Sequence, residues 1–285
     1  MKSLSYAKIN LGLTVLGKRP DGYHQIETIF QRITVADEME FELDDHKIHV
    51  RSDTEGCPSG ALNLAWRAAE ALKKQFTIKK GCIINIRKAI PVGSGLGGGS
   101  SNAATALAAL NKMWRLDLDV DRLIAIASTV GSDVPFFVQG KTAIGRNRGE
   151  TLTPVSIPRK YWGVLVCPDF SVSTSWAYQS LNFSLTNSYK KSKLADFLQN
   201  LEDEKLWRAW LVNDFEPIVF QKHPILSSIK QDCYNLGAFY AQMSGSGSSV
   251  YGLYNSRVEA KLAAEEFRRT FRTFLFQPVE LPDLR

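Results

Sequence analysis

A glycine-rich segment at residues 91–102, PVGSGLGGGSSN, limits the folds open to this chain more than any other part of the sequence. Five of its twelve residues are glycine, and it lies between a predicted strand at 82–86 and a predicted helix at 100–111. Glycine permits positive φ and removes the Cβ that would keep a ligand away from the backbone. Successive amides can then converge on one anion, and the following helix adds free N–H groups and its positive dipole end. The segment therefore predicts a phosphate-binding loop.

The type of nucleotide is not fixed by these glycines alone. No Gly-Lys-Ser/Thr closes the loop, so the P-loop pattern fails. A dinucleotide-binding G-x-G-x-x-G does match at Gly93, Gly95 and Gly98, with Asp117 and Asp119 about 20 residues further on. Those acidic residues approach a helix rather than end a second strand, so a nicotinamide-dependent oxidoreductase is the weaker alternative. A flexible turn before a capped helix is the purely structural alternative.

The N-terminal segment alternates between apolar and polar residues. One face carries Ile9, Leu11, Leu13 and Val15, and the other carries Lys8 and Asn10. This pattern predicts a half-buried strand with Lys8 and Asn10 on its non-core face. A second strand is predicted over 26–43, with an interruption near 36–37. Strands and helices alternate along the rest of the chain, which predicts an α/β or α+β fold.

Length and composition are those of a globular protein. The chain has 285 residues, 44% hydrophobic and 22% charged, which suits one large or two modest domains at about 150 residues each. A proline-containing segment at 154–158 predicts the passage between domains covering residues 1–155 and 156–285. No apolar run is long enough for a membrane helix, and no signal peptide is recognised. We therefore expect a cytoplasmic protein that does not bind membranes.

The net charge and the cysteine content limit which binding partners are expected. The net charge of +6 favours anionic partners, either nucleic acid or small phosphates. The basic clusters at 190–193 and 268–269 are short and lack interleaved aromatic residues, so nucleic acid is not expected. The four cysteines form no C-x-x-C pair, which predicts reduced thiols rather than a zinc site or disulfides. No oligomeric state is predicted.

Two further segments complete a family pattern. Together with the glycine segment, the sequences AKINL at 7–11 and MSGSGS at 243–248 resemble the three ordered motifs of one kinase superfamily. That superfamily includes galactokinase, homoserine kinase, mevalonate kinase and phosphomevalonate kinase. The segments RPDGYH at 19–24, GSDVPFF at 131–137 and NDFEP at 213–217 narrow the resemblance to the kinases of the non-mevalonate isoprenoid pathway. One departure is Ser94, where alanine or glycine is usual.

The resemblance implies a two-domain fold and a reaction. The N-terminal ATP-binding domain would contain a left-handed βαβ unit, an exception to the usual handedness. The C-terminal domain would bind substrate, and the active site would lie in the cleft between them. The γ-phosphoryl group of ATP, with Mg²⁺, would pass to the 2-hydroxyl of a cytidine-diphosphate derivative of methylerythritol.

The resemblance also implies residue roles. Asp133 would be the general base and Lys8 its catalytic partner, although position alone also fits a turn or helix cap for Asp133 and an exposed strand lysine for Lys8. The ATP-binding residues would be Pro91, Val92, Gly93, Ser94, Gly95, Leu96, Gly97, Gly98, Gly99, Ser100 and Ser101, with Asn63 and Lys88 at the adenosine end. The substrate-binding residues would be Asn10, Tyr23, His24, Thr174 and Tyr178.

Other functions remain open at this level. No Asp or Glu presents itself as a magnesium ligand, so the metal would lie on the phosphates with help from Ser101. The same superfamily includes kinases of mevalonate, homoserine and sugars, but those small acceptors offer no base to stack on Tyr23. A nucleotide-binding module without catalysis is a further alternative, and the presence of both Lys8 and Asp133 weighs against it.

Overall fold

The structure is a computed structural model that describes residues 1–181, 194–201 and 203–280. The basic cluster at 190–193 lies outside the described residues. Among the described residues no helix has the length and apolar composition to cross a lipid bilayer.

The first half of the chain builds a six-stranded sheet. Its strands pair in the order β3-β4-β2-β5-β6, and β1 also pairs with β2. They are β1 (Lys2–Lys18), β2 (His24–Asp44), β3 (Ile48–Ser52), β4 (Gly81–Arg87), β5 (Ala143–Asn147) and β6 (Thr151–Pro154). All of the pairings are antiparallel except that of β3 with β4.

Four helices belong to this half of the chain. They are α1 (Leu64–Gln75), α2 (Gly98–Met113), α3 (Val120–Val130) and α4 (Val134–Gln139), and a short 3-10 helix, Gly60–Leu62, precedes α1. Because α1 connects the parallel strands β3 and β4, the three form a βαβ unit. Its left-handed sense stays a prediction. The alanine-rich helices α1 and α2 pack closely, and their buried small residues share one core cluster with the sheet.

The second half of the chain builds a four-stranded antiparallel sheet of order β10-β7-β9-β8. The strands are β7 (Trp162–Cys167), β8 (Tyr240–Met243), β9 (Val250–Tyr254) and β10 (Arg272–Phe276). The helices are α5 (Thr174–Ser180), α6 (Leu194–Leu198), α7 (Glu204–Trp210), α8 (Glu216–Lys222), α9 (Pro224–Asn235) and α10 (Arg257–Phe267). The expected mixed α and β class is confirmed. The boundary between 155 and 156 falls between β6 and β7 and stays a prediction.

Strand β1 is buried on both faces, so the prediction of a half-buried strand was wrong. Lys8 and Asn10 are as buried as their apolar neighbours. A register irregularity lies between Leu11 and Leu13, opposite Ile29 and Thr28 of β2. As a result Leu11 packs in one core cluster, while Leu13 packs in another that includes the helices of the second half. Burial of the second face depends on the other sheet, which alternation within one strand does not report.

Two boundaries also differ from expectation. Strand β2 continues through Asp37, and the predicted interruption is a register irregularity in its pairing with β1. Helix α2 begins at Gly98, two residues before the predicted start, with Gly97 as its N-cap in the left-handed region at φ 69°. Ser100 and Ser101 therefore lie inside the first turns of α2, so a capping role for either was wrong.

Besides the covalent link from β6 to β7, two backbone bridges connect the two halves of the chain. A parallel bridge links Leu13 of β1 to Asn213, which lies just before α8. An antiparallel bridge links Ile33 of β2 to Pro278, just after β10. Residues of both halves also line one cavity, and Leu13 is among them.

Candidate active site

The residues expected to form the site line one cavity of about 1110 Å³. We call residues 91–99 the glycine loop and residues 244–247 the second glycine turn. Every expected site residue except Ser101 lines the cavity: Lys8, Asn10, Tyr23, His24, Asn63, Lys88, Pro91, Val92, Gly93, Ser94, Gly95, Leu96, Gly97, Gly98, Gly99, Ser100, Asp133, Thr174 and Tyr178. Residues from both halves of the chain thus enclose one space.

The glycine loop opens directly into the start of α2. The first hydrogen bond of the helix runs from the Ser101 N–H to the Gly97 carbonyl at 2.8 Å. The N–H groups of Gly98, Gly99 and Ser100 precede that bond, so they belong to the helix end that lacks internal acceptors. A Cβ on Gly97 would lie 2.9 Å from the Phe137 ring and 3.2 Å from Lys8 Cε. The backbone therefore reaches the cavity only because no side chain intervenes.

The glycine loop rests on the second glycine turn. A Cβ on Gly95 would lie 2.1 Å from the Ser244 carbonyl oxygen, and the Ser244 hydroxyl donates to the Gly95 carbonyl at 3.0 Å. The Ser249 N–H donates to the Ser94 carbonyl at 3.2 Å. The Ser94 hydroxyl donates to the Pro91 carbonyl at 2.7 Å, so the unusual side chain is held within the loop.

Lys8 joins strand β1, the glycine loop and the start of α4. Its ammonium donates to Asn10 Oδ1 at 2.6 Å and to the Gly95 carbonyl at 3.0 Å, and it lies 3.7 Å from Asp133 Oδ2. Only 5% of the side chain is exposed. Burial lowers the pKa of Lys8, and the nearby Asp133 carboxylate raises it back in part. The alternative of an exposed strand lysine is therefore wrong.

Asp133 immediately precedes α4, but its side chain makes no capping hydrogen bond. The side chain is 29% exposed, and among the described residues that line the cavity it is the only carboxylate. A structural role as a helix cap is therefore wrong. The carboxylate is left beside the Lys8 ammonium, where it can accept a proton from a bound alcohol.

Asn10 is fixed from two sides. Its Oδ1 accepts from Lys8, and its amide donates to Thr28 Oγ1 at 3.0 Å. Its side chain faces the cavity beside Lys8, so the alternative of a solvent-facing polar residue is wrong.

At the edge of the cavity, the hydroxyls of Thr174 and Ser246 share a hydrogen bond of 2.9 Å. The start of α5 is therefore tied to the second glycine turn.

Three ring-bearing side chains, His24, Tyr178 and Tyr23, also line the cavity. The His24 and Tyr178 rings stack with centroids 4.7 Å apart and planes 12° apart. Burial and then the charge of Asp133 raise the pKa of Tyr178 to about 12, while burial lowers the pKa of His24. Tyr23 is 56% exposed, and the Arg148 guanidinium lies 4.8 Å from its ring centroid. Sequence reasoning missed Arg148, because it lies outside every motif.

Asn63 and Lys88, the two residues expected at the adenosine end of ATP, bond to other groups within the chain. Asn63 accepts from the Ala65 N–H at the start of α1 and donates to the Pro58 carbonyl, both at 2.8 Å. The Lys88 ammonium forms a buried ion pair with Asp37 and donates to Asn102 at 3.1 Å. Both residues line the cavity, but the hydrogen bonds of their side chains mainly stabilise the backbone and side chains of its wall.

Ser101 is not part of the cavity wall, so its expected place beside phosphate or metal was wrong. It is buried, and its hydroxyl accepts a hydrogen bond from the Ser5 hydroxyl at 2.8 Å. The reason is the earlier start of α2, which turns position 101 towards β1. Within the described residues no three His, Cys, Asp or Glu side chains group as metal ligands.

Comparison with protein families identifies the class. Residues 63–141 match the model of the GHMP kinases N terminal domain, and residues 194–273 match that of the GHMP kinases C terminal. The chain is therefore a GHMP kinase, as its motifs predicted.

Individual relatives narrow the class. A 4-diphosphocytidyl-2-C-methyl-D-erythritol kinase of Geobacter metallireducens is 42% identical over 96% of this chain and 98% of its own length. The enzyme of that name from Thermodesulfovibrio yellowstonii is 39% identical over 92% of this chain and 93% of its own. The chain belongs to the family of 4-diphosphocytidyl-2-C-methyl-D-erythritol kinases.

Solved structures agree with this assignment. A crystal structure of 4-(cytidine 5'-diphospho)-2C-methyl-D-erythritol kinase matches with a TM-score of 0.84 and 34% identity, over 98% of this chain and 99% of that one. Homoserine kinase from Cytophaga hutchinsonii matches with a TM-score of 0.75 at 17% identity, over 98% of this chain and 95% of that one, which shows a common fold. These similarities favour a kinase over a nicotinamide-dependent oxidoreductase.

Proposed function

We propose that this chain transfers the γ-phosphoryl group of ATP to the 2-hydroxyl of 4-diphosphocytidyl-2-C-methyl-D-erythritol, with Asp133 as the base. One observation carries the proposal. The Lys8 ammonium lies 3.7 Å from Asp133, a carboxylate that lines the cavity, and 3.0 Å from a carbonyl of the glycine loop. The Asp133 carboxylate, the Lys8 ammonium and the backbone of the glycine loop therefore lie around one point in the cavity.

The glycine loop and the start of α2 supply the phosphate site. The N–H groups of Gly98, Gly99 and Ser100 lie at the positive end of a 16-residue helix. Oriented amides of this kind stabilise charge on a phosphoryl group without reorganising during the reaction. Since one helix terminus contributes only about 0.3–1 kcal/mol towards a single exposed charge, tight binding needs Lys8 and a metal ion as well.

The chemical step needs one proton acceptor and one cation. Asp133 takes the proton of the acceptor hydroxyl while the hydroxyl oxygen bonds to the γ-phosphorus, and the bond to the β-phosphate oxygen breaks to release ADP. Lys8, 3.7 Å from Asp133, balances the charge that develops on the transferred group. Asn10 holds the Lys8 ammonium at 2.6 Å and thereby fixes its direction.

Magnesium supplies charge neutralisation on the β- and γ-phosphates when it is bound with ATP. Mg²⁺ commonly binds one or two carboxylates together with substrate phosphates. In the described part of the chain, Asp133 is the one carboxylate that lines the cavity, and Ser100 offers a hydroxyl near the start of α2. We therefore assign the ion mainly to phosphate oxygens, with Ser100 as the available protein ligand and no role for Ser101.

The aromatic cluster suits a cytidyl group. Tyr23 presents an exposed ring, and stacking on an aromatic side chain contributes about 1–3 kcal/mol per base. His24, Tyr178 and Thr174 also line the cavity. A small acceptor such as mevalonate or homoserine has no base to stack on the Tyr23 ring.

We place the reaction in the cytoplasm. The donor is ATP, and the four cysteines are free thiols, three of them buried, which suits a reducing compartment. Fractionation of cells that produce the full-length protein should recover the kinase activity with cytosolic markers.

The experiment that tests the function is phosphorus NMR of the products formed from ATP. We expect ADP and a phosphomonoester with 4-diphosphocytidyl-2-C-methyl-D-erythritol, and no product with mevalonate or homoserine. Asp133→Asn should lower kcat by about 10²–10⁴-fold while ADP binding, measured by calorimetry, persists. Asp121→Asn, an exposed charge change on α3, is the matched control. Near-normal turnover by Asp133→Asn would remove Asp133 as the base.

A further inference from the structure

The NDFEP motif at 213–217 contributes no side chain to the reaction proposed above, apart from Phe215 in the cavity wall. Its first part pairs with β1. The Leu13 N–H donates to the Val212 carbonyl at 2.8 Å, and the Asp214 N–H donates to the Leu13 carbonyl at 2.9 Å. The Val15 N–H donates to the Asp214 carboxylate at 2.8 Å. Residues 212–214 therefore follow the strand that carries Lys8 and Asn10.

The side chain of Asn213 reaches from this pairing into the second glycine turn. Its amide nitrogen donates to the Met243 carbonyl and to the Gly245 carbonyl, both at 2.8 Å. Its Oδ1 accepts from the Phe215 N–H at 3.0 Å. The residue is 2% exposed. Both donors and the acceptor of one buried amide are thus used, so its position and that of the turn are fixed together.

The second glycine turn in turn contacts the catalytic residues. A Cβ on Gly245 would lie 3.3 Å from Asn10 Oδ1 and 3.4 Å from the Gly95 carbonyl oxygen. Asn10 Oδ1 is the acceptor that holds the Lys8 ammonium. A shift of the turn towards Asn10 would therefore displace the side chain that holds the Lys8 ammonium. On its other side the turn is held by Glu216, which accepts from the Met243 N–H at 2.9 Å.

We propose that Asn213 is a positioning residue that sets the distance between the second glycine turn and the Lys8–Asn10 pair. It touches neither ATP nor the acceptor, and it acts on the reaction through Gly245 and Asn10. The proposal rests on the proposed function for its kinetic part, and on the contacts alone for its structural part.

The kinetic test uses Asn213→Asp, which replaces the double donor by a carboxylate of nearly the same shape. Its oxygen would face two carbonyl oxygens, so the turn must move. Since misplacement by about 1 Å can cost about 10²-fold in rate, we expect kcat to fall about 10–100-fold. ADP is held by the start of α2, which does not contact Asn213, so its dissociation constant should change by less than about threefold. Asn235→Asp, the same change on an exposed residue of α9, is the control.

A pH profile separates positioning from simple loss of stability. A protonated carboxyl group is a donor again, so kcat of Asn213→Asp relative to the natural protein should rise as pH falls. If Asn213→Asp does not fold, Asn213→Ser, which keeps one donor, should give a smaller loss of kcat. A variant with lowered thermal stability but unchanged kcat would overturn the proposal, as would equal losses of kcat and ADP affinity.

Hydrogen exchange tests the inference without any turnover. Amides of residues 244–247 should exchange faster in Asn213→Asp than in the natural protein or in Asn235→Asp. Unchanged exchange would overturn the inference whatever the kinetics show. If the natural protein fails to phosphorylate the cytidyl acceptor, the proposed function falls, and the exchange comparison still decides the role of Asn213.

Discussion

Lys8 and Arg32 are opposite each other in the β1–β2 ladder and contact opposite ends of the same short helix, α4. Lys8 lies 3.7 Å from Asp133 at the N-terminus of α4, while Arg32 donates to the carbonyls of Phe137 at 2.6 Å and Gly140 at 3.4 Å. A cation is favourable at a helix C-terminus, where carbonyls lack internal donors. One strand pair therefore fixes the helix that follows Asp133.

Replacement of Arg32 should affect both stability and turnover. The guanidinium is buried, and burial lowers its pKa to about 10. Arg32→Lys keeps a cation but loses the planar fork that reaches two carbonyls. We expect kcat to fall about tenfold and the thermal midpoint to fall by several degrees. Arg51→Lys, on an exposed position of β3, is the control, and an unchanged kcat for Arg32→Lys would contradict this role.

The pH dependence of kcat/KM should report Lys8. Burial lowers the pKa of Lys8 in the free enzyme, so its ammonium loses a proton below the ordinary value of about 10.4. Because the protonated form is active, kcat/KM should fall as pH rises through this lowered pKa. Arginine stays charged, so Lys8→Arg should move the alkaline limb to higher pH even if its maximum is lower. An identical alkaline limb in both proteins would assign the titration to another group.

Gly95 tolerates no side chain. A Cβ there would lie 2.1 Å from the Ser244 carbonyl oxygen, and φ is +80°, where other residues are strained. Gly95→Ala should therefore distort the backbone of the glycine loop itself, lower the thermal midpoint and abolish measurable ADP binding in calorimetry. Gly17→Ala, which meets nothing within 4 Å, should change neither property. Retained ADP affinity in Gly95→Ala would contradict the requirement for this loop conformation in nucleotide binding.

The Asp37–Lys88 pair should be important for folding. Asp37 is fully buried, and besides Lys88 it accepts from the N–H groups of Ala89 and Ile90, both at 2.8 Å. Removing one charge of a buried pair leaves the other uncompensated, so Asp37→Asn should cost about 3–5 kcal/mol in urea unfolding.

The exposed pair next to it supplies the comparison. Glu38 and Arg87 lie 3.2 Å apart on the same two strands, with both side chains mostly exposed. Glu38→Gln should cost less than about 1 kcal/mol, since exposed ion pairs contribute little. Equal losses in Asp37→Asn and Glu38→Gln would show that burial of the first pair does not matter.

Tyr23 should determine affinity for the cytidyl substrate. Loss of a stacked ring costs about 1–3 kcal/mol, so Tyr23→Ala should raise KM for that substrate about 5–150-fold with KM for ATP unchanged. Tyr23→Phe keeps the ring and should stay near the natural KM. Steady-state kinetics with each substrate varied in turn makes the measurement, and an unchanged KM in Tyr23→Ala would reject the stacking role.

Local chemistry made part of the site predictable. The glycine loop could be recognised because closely spaced glycines before a helix have few other uses, and the structure brings that loop to the cavity with Lys8 and Asp133. The class of fold followed from the alternation of strands and helices together with the family resemblance. Short strands such as β5, β6 and β10 gave no signal, because four or five residues with mixed polarity show no clear period.

Features that depend on distant packing were not predictable. Both faces of β1 are covered only because the second sheet packs against it, and the irregularity before Leu13 reverses which side its apolar residues face. Arg148 reaches Tyr23 through the β5–β6 turn, and no spacing in the sequence links these two residues. Ser101 was placed at the phosphates because the start of α2 was set two residues late.

Strand β1 belongs to both halves of the molecule, since it pairs with β2 along most of its length and with residues 212–214 near its end. Rotation of the halves away from each other would break the main-chain hydrogen bonds that join Leu13 to Val212 and Asp214. We therefore expect admission of ATP and release of ADP to depend on the short exposed segments beside the cavity, the 19–23 turn and α5, rather than on rotation of whole lobes.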